Sequence, residues 1–218
     1  MPRLNKAVAR VQGKTGPDPE RQKAIEEDAA LAESEIKNDF PVLHSLATVG
    51  LWSWLEHLVK GIAIEWVKHN PSLLSGQPFN RLRVKLSDYV PLTKAEQSAY
   101  IIELLEQETS SSLKRGVNRF EALLDPFGLS GAVPSKTSDS IFELQQIRNA
   151  IAHQNGRCDR KLKASCPWLK LKIGSPISIS HRQLSNYSAA CMDYGLLLLY
   201  RIGDHHGVNL RDDSAAGT

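Results

Sequence analysis

A chain of 218 residues, 41% of them hydrophobic, can bury a full core without a second domain. Its formal net charge of +3 is too small to define a nucleic-acid binder by itself. Cys158, Cys166 and Cys191 are an odd number without metal-ligand spacing, which argues against a disulfide scaffold and a cysteine-based zinc site and predicts free thiols in a reducing cytoplasm. No run resembles a signal peptide, and the most apolar short run, Gly195 to Tyr200, is far too short to cross a bilayer, so no membrane contact is expected.

The composition divides the chain into a basic tail (1–17), a helical body (18–203) and a mobile C-terminal tail (204–218). Arg3, Lys6, Arg10 and Lys14 make the first segment a solvated arm, with weak phosphate contact as the alternative. From 18 to 39 the sign changes. Glu26, Glu27, Asp28, Glu33, Glu35 and Asp39 surround a helix pattern packed by Ile25, Leu31 and Ile36; carboxylates spread around a helix do not converge on an ion.

Pro41 opens the main helix, 41–69, which ends before Pro71. Its leucines, with Trp54, Ile62 and Trp66, give apolar faces on nearly all sides, so this helix is buried or pairs with another chain. Trp52 and Trp54 suit core packing, with base stacking as the alternative. In 81–86 Arg81, Arg83 and Lys85 alternate with Leu82, Val84 and Leu86, a strand-like period that a distorted helix would also fit. Thr93 with Glu96 starts a helix to about 108, a further helix covers about 110–125, and a Gly/Pro/Ser loop covers 126–138.

Residues 139–158, DSIFELQQIRNAIAHQNGRC, carry the densest set of chemical groups. Ser140 and Glu143 match a capping box, and Ile141, Leu144, Ile147 and Ile151 form one apolar stripe. Phe142, Gln146, Asn149 and His153 fall on a second stripe. Arg148 lies at the edge of the apolar stripe, where its stem can cover apolar surface while the guanidinium reaches out. Asn155-Gly156 suits a left-handed turn just past His153, at the helix end whose carbonyls attract a cation.

Arg157, Arg160, Lys161, Lys163, Lys170 and Lys172 follow, with Asp159 as the one acid from 157 to 172, and form a candidate RNA-binding patch or else a solvated loop. LKLKIG and ISIS, joined near Gly174-Ser175-Pro176, predict a small β-hairpin or extended insert. Ser180 with Gln183 caps the last helix, 181–202.

The run RNAIAH resembles the Arg-x4-His signature of HEPN domains. The apolar lead-in IFELQQI, the Gln154-Asn155-Gly156 turn, Asp159, the Gly174-x2-Ile177 segment and a last long helix are similar to one HEPN subgroup, over roughly 40–203. The resemblance implies an all-α, up-and-down bundle that dimerises through the motif helix. It also implies a metal-independent endoribonuclease of defence or toxin–antitoxin systems, with Arg148, Asn149 and His153 of both copies as a composite catalytic site and no cofactor. Family members without cleavage bind RNA, nucleotides or proteins, and this is the alternative. A third reading makes these residues structural. Toxins of the family silenced by adenylylation have a tyrosine two residues past the histidine; here Asn155 stands there, which favours a different antitoxin or regulatory protein. The sequence shows no P-loop, zinc-type His/Cys cluster or Ser/His/Asp arrangement.

Overall fold

A computed structural model describes Val11, residues 19–109 and residues 114–211; the basic tail apart from Val11, residues 110–113 and residues 212–218 lie outside it. The described residues form eight α-helices and no strand. They are α1 (Pro19–Lys37), α2 (Pro41–His69), α3 (Leu86–Tyr89), α4 (Lys94–Glu108), α5 (Val117–Leu124), α6 (Ser135–His153), α7 (Arg160–Ser165) and α8 (His181–His205). None of them is long and apolar enough to cross a membrane.

α2 and α8 run parallel. His44 Nδ1 lies 2.7 Å from the Ile179 carbonyl at one end, and the rings of Trp66 and His205 meet at 4.8 Å at the other. α6 runs antiparallel to α8, since Tyr187 bonds Glu143 while Arg201 bonds the Leu129 carbonyl just before α6. These three long helices enclose the core, in which Trp52, Leu55, Ile141, Leu144, Tyr194 and Leu198 are almost completely buried. α4 and α5 are tied to α2 by Lys60–Glu106 at 2.7 Å and Arg119–Glu56 at 2.8 Å.

The expected capping boxes at Thr93/Glu96 and Ser180/Gln183 are both formed. α2 begins at Pro41 and its free amides are met from behind, because the Glu35 carboxylate accepts from the N–H groups of Val42 and Leu43. Before that turn α1 carries no buried residue.

Several expectations are corrected or narrowed by the fold. The Ser140/Glu143 pair is not a cap: α6 starts at Ser135, directly after Pro134, so Ser140 already sits inside the helix. The helix expected at about 110–125 is confined, among the described residues, to Val117–Leu124, because Gly116 takes a positive φ of 56° at its start. A side chain at Gly116 would press on Phe142 Cα at 3.1 Å, and its N–H donates to the Gln145 side chain at 2.7 Å. The alternating 81–86 segment is no strand, since a period of two needs a partner strand to satisfy its amides; it runs from a 3-10 turn into α3. At 169–180 no hairpin forms among the described residues; the extended alternative holds, its return kept in place by one antiparallel bridge between Arg157 and Pro176. The body also continues beyond 203, because α8 reaches His205 and the Val208 N–H donates to the Gly203 carbonyl at 2.8 Å.

All three cysteines are free and buried. Burial, and then the Glu143 carboxylate, pushes the Cys166 thiol up to about 12, and burial pushes Cys191 up to about 12. At pH 8 both should therefore resist iodoacetamide in the native chain and react only on unfolding. Mass spectrometry that finds either one alkylated at the rate of a free thiol would contradict this burial.

Candidate functional site

α6 packs against α2, α5, α7 and α8. Ile141, Leu144 and Ile147 are buried as their spacing requires, with Ile151 half-buried. The second stripe behaves differently along its length. Phe142 is half-buried against the core and Gln146 is buried, whereas Asn149 is half-buried and His153 is exposed. The middle of α6 therefore offers no continuous seam to another chain, and only its last turn is open.

That turn borders a small recess lined by Gln146, Asn149, His153, Gln154, Asp159 and Lys161, with Ala150 and Leu162 at its apolar edge. The helix stops where expected. Gln154 donates its N–H to Ala150, and Asn155 and Gly156 follow at φ 51° and 68°. Gly156 has open space around its Cα, so its left-handed backbone is what suits the position to glycine.

Arg148 is half-buried, and its Nη1 donates to the Asn149 Oδ1 at 3.2 Å. Its Nε is enclosed and has no partner among the described residues, an unmet donor of the kind that marks a place where polar groups have further work. Asn149 thus joins the guanidinium to the recess. Asp159 is occupied: its Oδ1 accepts the Leu162 N–H at 2.6 Å and caps α7.

The six basic residues separate into different roles. Lys161 lines the recess. Arg157 is committed to the chain's own return, donating from Nη1 to the Gly174 carbonyl at 2.9 Å. Arg160, Lys163, Lys170 and Lys172 stand exposed on the excursion between. The excursion is pinned at its far side by Glu143, whose carboxylate accepts from Tyr187 Oη at 2.6 Å and from Trp168 Nε1. Burial, and then this carboxylate, keeps the Tyr187 hydroxyl protonated far above its ordinary range. Glu143 is the positioning residue that sequence reasoning missed, having read it as half of a cap. Its partners lie 25 and 44 positions away, beyond any local pattern.

An imidazole, an ammonium and a guanidinium-linked amide around one recess can bind a phosphodiester and move a proton at it. Among the described residues no three His, Cys, Asp or Glu side chains are placed to hold a metal ion. No family model, curated protein or solved structure matches the chain.

Proposed function

We propose that this chain is a metal-independent endoribonuclease of HEPN type, acting in a defence or toxin–antitoxin setting. The observation that supports it is the convergence of His153, Asn149 and Lys161 on one recess, with the Arg148 guanidinium bonded to Asn149 behind it. His153 takes the proton of an RNA 2′-hydroxyl, and the 2′-oxygen attacks the adjacent phosphorus. The bond from phosphorus to the 5′-oxygen breaks, and that oxygen takes up a proton. The products are a 2′,3′-cyclic phosphate and a 5′-hydroxyl. Arg148 and Lys161 offset the charge on the phosphorane, and Asn149 orients the guanidinium. One recess holds one histidine, so the second proton-transfer group comes from His153 of a second copy of the chain. An inhibitory antitoxin or regulatory protein acts without modifying a tyrosine, since Asn155 occupies that position.

Purified chain should degrade total RNA in EDTA while the His153→Ala variant does not. RNA that is retained but stays intact would leave a binding module, a reading that the single histidine in each recess also fits. Separately, Lys161, Lys163, Lys170 and Lys172 changed together to Gln should weaken RNA binding. The slope of log affinity against log salt should become shallower by about one unit for each phosphate that is no longer neutralised. Filter binding at several salt concentrations measures this, and an unchanged slope removes these lysines from the RNA path.

A further inference from the structure

The chain has four tryptophans, and one of them stands apart. Trp52 and Trp66 belong to the core, and Trp54 is partly exposed in a stretch, Pro41 to Leu55, that contains no Asp, Glu, Lys or Arg. Trp168 is 54% exposed, and Arg160, Lys161, Lys163, Lys170 and Lys172 around it in sequence are exposed too. No Asp or Glu occurs from Arg160 to Met192. The position of this indole is fixed. Leu162 and Cys166 before it are buried, and its N–H donates to the Glu143 carboxylate on α6. The 3-10 turn Pro167–Leu169 closes on Lys170, which takes a positive φ of 53° and donates its N–H to the Pro167 carbonyl at 3.1 Å. Both Glu143 oxygens are engaged, one by Trp168 and the other by Tyr187. The polar edge of the indole is thus spent inward. What it offers to solvent is ring surface, on a platform that need not be ordered when a ligand arrives.

We propose that Trp168 is a stacking platform for an unpaired base, which makes the substrate single-stranded RNA. The inference rests on the reading of the His153 recess as an RNA site. A ring face set among cations matches a nucleic-acid strand, because stacking holds a base of any identity while the basic side chains meet phosphates. A base inside a duplex has no free face, so the platform selects unpaired segments. Glu143 stands ten residues before His153 on α6, about 15 Å along the axis at 1.5 Å per residue. The platform therefore holds a nucleotide away from the cut and leaves the scissile one to the recess. Trp168 is a positioning and specificity residue, and the proton transfer stays with His153.

The probe is a short fluorescein-labelled 2′-O-methyl oligouridylate, which stays single-stranded and has no 2′-hydroxyl to attack, so binding is read without cleavage. The full chain should bind it. Trp168→Ala should weaken that binding on the order of tenfold, while Trp168→Phe, which keeps a ring, retains most of it. Affinity for the same strand annealed to its 2′-O-methyl oligoadenylate complement should not change with Trp168→Ala. The slope of log affinity against log salt should be the same in the variants as in the unchanged chain, because stacking releases no counterions. A merely structural Trp168 would free the excursion and its lysines, and the slope would become shallower. That shallower slope, no binding of the oligouridylate, or an equal loss on the duplex overturns the proposal. Unchanged affinity in Trp168→Ala overturns it as well, and leaves the indole for a protein partner. The platform and the nuclease reading fail separately. RNA that stays whole yet needs Trp168 for binding keeps the platform and removes the nuclease. A Trp168→Ala chain that cuts RNA in EDTA with unchanged KM removes the platform alone.

Discussion

His153→Ala should cut RNA on the order of a hundredfold or more slowly than the unchanged chain, the usual scale for removing a general acid or base. Arg148→Ala should lose activity on a similar scale, because a phosphorane oxygen would lose its charged donor. The structural consequences should be small in both. His153 is exposed at the end of α6, and among the described residues the Arg148 guanidinium bonds Asn149 through Nη1 while its Nε has no partner. Thermal melting of each variant beside its single-turnover rate separates chemistry from packing. If both variants unfold and neither retains RNA, these residues serve the fold and the nuclease reading fails.

Glu121→Ala should destabilise the chain by about 3 kcal/mol. Glu121 Oε1 accepts from Tyr194 Oη at 2.6 Å and from Arg201 Nη1 at 2.9 Å, and its Oε2 accepts the Gly131 N–H at 2.7 Å. The ion-pair side chains are only 13% and 15% exposed, so little water is at hand to replace the carboxylate. Burial, then the Glu121 carboxylate, holds the Tyr194 hydroxyl protonated well above its ordinary range, so it remains a donor that needs an acceptor. Arg201 also bonds the Leu129 and Ala132 carbonyls, so the same network shapes the link that leads into α6. A urea midpoint that falls with an unchanged slope would report this loss. A change under about 0.5 kcal/mol, the scale of an exposed pair, would contradict it.

The helical character, the long α2 and the apolar stripe of α6 are legible from spacing, because burying one face of a helix imposes a period that local sequence records. The end of α6 is legible for a similar reason: Asn155-Gly156 is a local conformational requirement, and both residues take positive φ. The start of α6 is not, since serine and glutamate three apart fit a helix interior as well as its cap. What fixes Glu143 is a contact with Trp168 and Tyr187 that only the folded chain creates. Alternation at 81–86 and 170–180 reports a half-covered extended chain, and it does not supply the second strand that a sheet needs. Of the candidate site, Asn149 and His153 share a face by spacing alone. That Lys161 joins them, while Arg157 is spent on Gly174, depends on where α7 folds back. The apolar surplus of α2 is visible in the sequence too, as a helix with more apolar faces than a single bundle uses.

The most direct test of the central claim uses a defined RNA that the chain cuts, in EDTA, beside the same RNA carrying a single 2′-deoxy nucleotide on the 5′ side of the cut. The first should be cut, with mass spectrometry finding a 2′,3′-cyclic phosphate and a 5′-hydroxyl at the new ends, and the second should stay whole at that position. Cleavage of the deoxy-substituted strand at the same bond, or ends bearing a 5′-phosphate, would contradict it, because the nucleophile would then be something other than the RNA's own 2′-oxygen.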